Sequence, residues 1–351
     1  MHYRGTYSPS ESEVSRSDSR WEAPDASGRV LIALLVVLAS GCILAQRAGA
    51  QGHRALASTM AIGPVYAGSF ADPSVLVVAG TYYAYGTNED DAAENLPVLE
   101  SRDLVHWKAV GDAMPILPSW VQNGFTWSPS VEVDPSGGFE LFFNAYDPAT
   151  HHECIGRATA PSPLGPFVSD GNTPFLCQTS AGGAIDPSVY AGRDADYLVW
   201  KSDGETGQQP EIWSQRLGQG DQMLVGQSMV LQVPHQAWEA GNVEGPSLAN
   251  IDGTLYLLFS GNRWTTPNYA IGATTCGSPL GPCAPAGPDP VLASTGSATG
   301  PGGPDVFHAG RQVALAYAAT PKGTATTGED QRELYLAVVS LAAGNSLSIQ
   351  G

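Results

Sequence analysis

Three carboxylates stand at matched places in this sequence. Asp72 opens Asp72-Pro73-Ser74-Val75, Asp186 opens Asp186-Pro187-Ser188-Val189, and Glu244 lies one residue before Gly245-Pro246-Ser247-Leu248. Two of them have apolar flanks, in Phe70-Ala71-Asp72 and Ala184-Ile185-Asp186. An Asp before Pro also starts strands and turns, which accounts for any one of these sites but not for three in register. Carboxyls gathered in a partly apolar setting cannot all ionise at their solution values, because like charge and desolvation raise the pKa of at least one. One is then left protonated as a general acid while another serves as base. Hydrolysis of a glycosidic bond uses such a pair, about 6.5–9.5 Å apart for inversion and about 5–5.5 Å for retention.

The elements that position these acids come from a repeat. The same short pattern recurs as Ser128-Pro129-Ser130-Val131 and, more loosely, as Gly303-Pro304-Asp305-Val306, so five copies follow one another at steps of 56, 58, 59 and 58 residues. Each copy precedes an apolar, aromatic segment: 81–85, 139–143, 197–200, 255–259 and 313–317. Turn residues lie between, such as Gly80, Gly137-Gly138, Asp252-Gly253 and Gly310. A third segment follows, as in Ile155–Thr159 and Ile271–Thr275, and those two copies share a downstream Ser-Pro-Leu-Gly-Pro at 162–166 and 278–282.

With 14% charged residues, 41 Gly and 27 Pro, the composition suits short strands and turns, and we expect an all-β fold. Three or four antiparallel strands repeated radially make a propeller blade. The chain is therefore expected to form a five-bladed β-propeller over residues 62–351, with blades of about 58 residues and long connecting loops. In that fold the first strand of each blade lines the axis, so matched repeat positions converge on the central channel.

Residues Val30 to Gln46 form an uncharged, mostly apolar run of 17 between Arg29 and Arg47. The run is slightly short for a membrane span and somewhat long for the apolar centre of a signal peptide. Residues 1–61 read as a polar leader with this signal segment (30–46) and a linker, and Ala48-Gly49-Ala50 and Ala55-Leu56-Ala57 are candidate cleavage sites. Cleavage makes the protein secreted; the alternative is a retained membrane anchor with the propeller outside. Beyond the leader, Cys154, Cys177, Cys276 and Cys283 give the even count of a disulfide framework, with three pairings open. Pairs local to one repeat are Cys154–Cys177 and Cys276–Cys283. The formal net charge of −18 repels phosphate backbones, so nucleic acid is not an expected partner; the acidity suits a soluble monomer.

Phe70-Ala71-Asp72-Pro73-Ser74-Val75, Tyr82-Tyr83-Ala84-Tyr85-Gly86-Thr87 and Ser101-Arg102-Asp103-Leu104-Val105-His106-Trp107 resemble the opening of glycoside hydrolase family 43. Thr126-Trp127-Ser128-Pro129-Ser130-Val131, Ala184-Ile185-Asp186-Pro187-Ser188-Val189 and Val243-Glu244-Gly245-Pro246-Ser247-Leu248 resemble its next three blade starts, in order. The resemblance spans nearly all of residues 65–320. It implies an inverting glycosidase acting on a carbohydrate, with Asp72 as the general base that activates water and Glu244 as the general acid. Asp186 would tune the acid and orient the sugar. Trp127, in the register of Glu244, is a candidate stacking wall for a sugar ring or an inter-blade core residue. Trp264 is a candidate for a further subsite.

No cofactor is implied as a requirement. Many members carry a His after a Gly-x-Gly in the fifth blade, where it helps hold an ion. Here Gly303 stands in its place and His308 follows five residues later, so a channel Ca²⁺ would need oxygen ligands such as Asp305 or water.

The expected substrates are arabinose-containing plant polysaccharides, cleaved by an α-L-arabinofuranosidase or arabinanase. A β-xylosidase is the nearest alternative, since the same trio serves both in the family. Retaining, fructan-cleaving propellers place their nucleophile in an Asn-Asp-Pro-Asn-like motif, and Ala71-Asp72-Pro73-Ser74 lacks both Asn residues. A non-catalytic sugar-binding propeller is the remaining alternative, and it has no need of three acids.

Overall fold

Each copy of the repeated pattern pairs with the apolar segment after it, and two further strands complete a blade. The computed structural model describes residues 63–350 except 89–93, 123–125, 170, 205–206, 219, 288, 323–331 and 343–345. The leader, its apolar segment 30–46 and its cleavage sites lie outside the described residues, among which no helix is long and apolar enough to cross a membrane.

Blade 1 holds β1 (Ser74–Val78), β2 (Thr81–Tyr85), β3 (Pro97–Ser101) and β4 (Lys108–Asp112). Blade 2 holds β5 (Thr126–Val133), β6 (Phe139–Asp147), β7 (His152–Ala160) and β8 (Val168–Ser169). Blade 3 holds β9 (Ala184–Ala191), β10 (Asp196–Ser202), β11 (Ile212–Gly218) and β12 (Met223–Gln232). Blade 4 holds β13 (Val243–Ile251), β14 (Thr254–Gly261), β15 (Ala270–Cys276) and β16 (Cys283–Pro285). Blade 5 holds β17 (Ala298–Ala309), β18 (Gln312–Pro321), β19 (Glu333–Leu341) and β20 (Leu347–Gln350). In every sheet the spatial order equals the chain order, giving five antiparallel meanders.

The core is divided the same way. Five apolar clusters each join two neighbouring blades, which is why the strands read as continuous apolar runs rather than alternating ones. Leu76 and Tyr85 meet Leu141 and Phe143 between blades 1 and 2, and Phe142 and Ile155 meet Val189 and Trp200 between blades 2 and 3. Val199 and Ile212 meet Leu257 and Phe259 across the next interface, and Tyr256 and Leu258 meet Leu315 and Tyr317 across the fourth. The ring closes where Phe70, Val75 and Ala84 pack on Phe307, Ala316 and Leu336. Each Val, Leu, Ile or Phe among them contributes about 1.5–3 kcal/mol when fully buried. The approach to β1 strengthens the closure, because Val65 and Phe70 donate backbone hydrogen bonds to Leu334 and Arg332 at 2.8 and 2.7 Å.

The repeated Ser has a specific task at the axis. Ser74 Oγ accepts the backbone N–H of Val131, Ser130 Oγ that of Val189, and Ser247 Oγ that of Val306, at 3.1–3.2 Å. At the fifth position Asp305 Oδ2 accepts the N–H of Val75 at 2.7 Å and so ties blade 5 to blade 1. Other repeats also fold alike. Both Ser-Pro-Leu-Gly-Pro segments form the same turn, with Gly165 and Gly281 donating to the carbonyls of Ser162 and Ser278 at 3.0 and 2.9 Å. Both disulfides expected from the repeat are present, Cys154–Cys177 and Cys276–Cys283.

The closing carboxyl is also a pH-sensitive group. Burial pushes Asp305 up to about 7, although its bond from Val75 acts the other way. Burial, with the charges of Asp305 and Asp196, pushes Glu132 up to about 8. Both lie above the range of an unfolded carboxyl, so the folded chain holds more protons and its stability falls as pH rises from about 4 to about 8. Thermal unfolding is expected at a higher temperature near pH 5 than near pH 8, with a weaker dependence in Asp305→Asn, which keeps an acceptor for Val75. An unfolding temperature that rises across this window would contradict the assignment.

Candidate active site

Local backbone geometry brings the acids to the channel. The residue before each repeated Pro is left-handed: φ is 46° at Asp72 and Ser128, 53° at Asp186, 54° at Gly245 and 62° at Gly303. At the same point the pairing of the first two strands slips in blades 2 to 5, as a bulge does. Left-handed backbone costs an ordinary residue roughly 1–2 kcal/mol; Gly escapes this, and Asp offsets it with local hydrogen bonds. Pro has no N–H to give a ladder, so it fits where pairing is already broken.

A belt of hydrogen bonds links the first four of these positions, and the fifth is tied to blade 4. The Thr87 hydroxyl donates to Asp72 Oδ2 at 2.7 Å and accepts the N–H of Ser128 at 3.1 Å. Ser128 Oγ donates to Asp186 Oδ1 at 2.7 Å, and Asp186 Oδ2 accepts the N–H of Gly245 at 2.9 Å. Gly303 donates its N–H to Ser260 Oγ at 2.9 Å, and a β-carbon on Gly303 would lie 3.0 Å from Asp72 Oδ1. Asp72, Ser128, Asp186, Gly245, Gly303 and Asp305 line the channel pocket.

Glu244 stands beside this belt, within electrostatic reach of Asp72 and Asp186. Its Oε2 is 3.0 Å from the ammonium of Lys201, whose side chain is 8% exposed. Two further groups converge from the strands behind. Tyr269 is hydrogen-bonded to Glu244 and Ser260, and its ring lies so close to β17 that a β-carbon at Gly302 would overlap it. Arg332 donates to the carbonyls of Gly300 and Ala318 at 2.8 and 2.6 Å, stacks over Tyr269 with 5.1 Å to the ring centre, and acts by its charge on Asp72 and Glu244.

The three carboxyls have unlike charge states. Burial raises Asp72, opposed by the Thr87 hydroxyl and the charge of Arg332. Burial and the charge of Glu244 push Asp186 up to about 7, with Lys201 and Ser128 opposing. Burial acts upward on Glu244 too, but the Lys201 ammonium and hydrogen bonds from Asn242 and Tyr269 outweigh it and hold this carboxyl below its ordinary value. The surroundings therefore favour the ionised form at Glu244 and the protonated form at Asp186 and Asp72.

Trp127 is half-buried at the start of β5, in the register of Glu244. Trp264 is 41% exposed between β14 and β15, and neither tryptophan is in the lining of the channel pocket. Lys201, Tyr269 and Arg332 escaped the sequence reading because it aligned first strands, whereas these come from second and third strands. Their signal lies in the register: Ser260 pairs with Ile271 and Ala318 with Leu334, which puts Tyr269 and Arg332 at one repeat position. A channel cation does not fit the residues present. Gly303 offers no imidazole, Asp305 Oδ2 is committed to Val75, and His308 is exposed toward the far end of β17.

The family model described as "Glycosyl hydrolases family 43" matches residues 62–342. A β-D-galactofuranosidase of Aspergillus niger is 27% identical over 240 residues, covering 64% of this chain and 66% of the relative. An extracellular endo-α-(1→5)-L-arabinanase of Thermotoga petrophila is 28% identical, covering 37% of this chain and 33% of the relative. The chain thus spans from about one third to just under two thirds of these curated relatives. The crystal structure of a thermostable family-43 glycoside hydrolase superposes with a TM-score of 0.72 at 26% identity, covering 83% of this chain and 96% of that one.

Thr87 links Asp72 to the next blade, so Thr87→Val removes a donor from Asp72 and leaves the Ser128 N–H without its acceptor. We expect a stability loss of about 1–3 kcal/mol in chemical denaturation, and Asp72 titrating at a higher pH by carboxyl ¹³C NMR. Unchanged stability together with an unchanged Asp72 titration would contradict the belt.

Proposed function

The chain belongs to glycosyl hydrolases family 43, and on that premise we propose that it hydrolyses arabinose-containing polysaccharides with inversion, as an α-L-arabinofuranosidase or arabinanase. The observation that carries this reading is the grouping of Asp72, Asp186 and Glu244, from three blades, within electrostatic reach of one another, with pKa values driven in different directions. Asp72 acts as general base. Burial holds its carboxyl above the ordinary value, Thr87 and Arg332 oppose this, and in its ionised form it takes a proton from a water whose oxygen attacks the anomeric carbon. Glu244 acts as general acid and gives a proton to the leaving oxygen as the glycosidic bond breaks. Asp186 adjusts when Glu244 holds its proton through the charge that the two buried carboxyls share, and it orients the sugar.

Two relatives support a furanose in the site, since one is named for galactofuranose and the other for arabinan. An α-L-arabinofuranosyl and a β-D-galactofuranosyl ring share their configuration from C1 to C4 and differ by one hydroxymethyl group on the exocyclic carbon. Trp127 is the candidate wall for such a ring. The two disulfides support export of the protein to an oxidising compartment, with secretion as the proposed location.

The test is hydrolysis of aryl α-L-arabinofuranoside, aryl β-D-galactofuranoside, aryl β-D-xyloside, linear arabinan and arabinoxylan by the full chain. Arabinose release is expected, falling about 10²–10⁴-fold in Asp72→Asn and in Glu244→Gln. Release of galactofuranose or xylose alone would overturn the substrate assignment. No turnover by folded protein would overturn the hydrolase reading in favour of a binding propeller.

A further inference from the structure

Lys201 occupies a repeat position that the other blades fill with uncharged residues. Two residues beyond the partner of the inner-strand Ser or Asp, the second strands place Thr87, Asn144, Lys201, Ser260 and Ala318. Thr87 and Ser260 each accept a backbone N–H from the axis residue of the next blade, Ser128 and Gly303. Lys201 extends in the same direction and ends on the next blade's carboxylate, 3.0 Å from Glu244 Oε2, with Asp203 Oδ1 at 3.9 Å. A buried ammonium is costly and stays charged only when paired, so this contact defines what the lysine does.

We propose, on the reading of Glu244 as proton donor, that Lys201 is its positioning residue: the ammonium holds Oε2 in place and so decides when Glu244 carries its proton. The groups facing Glu244 are Lys201 and Asp186 from blade 3, Asp72 from blade 1, Asn242 just before β13, Tyr269 just before β15 and Arg332 just before β19. Among the described residues Lys201 is the cation in ion-pair contact with it. Arg332 is held by two carbonyls and by the Tyr269 ring, and acts on Glu244 by its charge alone. Without Lys201, three carboxyls would face that one guanidinium, and Glu244 would take a proton at a higher pH.

The experiment compares wild type, Lys201→Met and Lys201→Arg as full chains, with carboxyl ¹³C NMR titration as the primary readout and Glu244→Gln to assign the signal. Glu244 is expected to titrate about 1–3 pH units higher in Lys201→Met, the size of an opposite charge at this range, and to return toward wild type in Lys201→Arg. The basic limb of kcat/KM against pH on the best aryl furanoside should move the same way, a change that loss of packing alone does not produce. An unshifted Glu244 titration in folded Lys201→Met overturns the proposal. Should that variant not fold, the wild-type titration decides, because a sugar-free Glu244 that titrates above the ordinary glutamate range also overturns it. Absence of turnover by wild type on every sugar would contradict the hydrolase reading and leave the NMR titration as an independent test of Lys201.

Discussion

Bonds from the inner strand of one blade to the backbone of the next tie the axis together, and the remaining features depend on them. Ser74, Ser130, Ser247 and Asp305 each accept an N–H from the neighbouring blade. An N–H facing a narrow channel, beside a bulge that breaks the regular ladder, would otherwise lack a partner, at a cost of about 1–3 kcal/mol. The Pro-Ser-Val pattern is the sequence form of that requirement. Pro marks the broken pairing, Ser supplies the acceptor, and Val packs between blades.

The same bulge turns the residue before Pro toward the axis, so positions required for closure also line the channel. Blades 1 and 3 place Asp there, while blade 4 places Gly and offers Glu244 from one residue earlier. Three carboxylates in a desolvated channel repel one another, and the fold offsets this with two cations, Lys201 and Arg332, set back from the axis. The offset is uneven. Lys201 lies against Glu244, and the burden of holding a proton passes to Asp186.

The architecture was legible because it is periodic. A carboxyl or a Pro recurring every 56 to 59 residues shows a register without any alignment of relatives, and Cys154–Cys177 and Cys276–Cys283 follow from that register. What was not legible comes from outside the Pro-Ser-Val pattern of the first strands. Tyr269 and Arg332 share a position just before third strands, and Lys201 lies near the end of a second strand whose counterparts in other blades carry hydroxyl, amide or methyl groups at the same place. The charge state of Glu244 was hidden for the same reason, since it depends on a lysine 43 residues away. Trp264 is another kind of case: it lies exposed in a loop outside the repeated strands, so the register carries no information about its role.

The central claim is that Asp72 directs water to the anomeric carbon from the face opposite the proton donor, with no covalent sugar–enzyme intermediate. Following the first turnovers on an aryl α-L-arabinofuranoside by ¹H NMR, before the free sugar mutarotates, tests it directly. The account predicts that the first sugar released is the β-anomer, inverted relative to the substrate. Initial release of the α-anomer would mean two successive displacements and would contradict the assignment of Asp72 as a base acting on water.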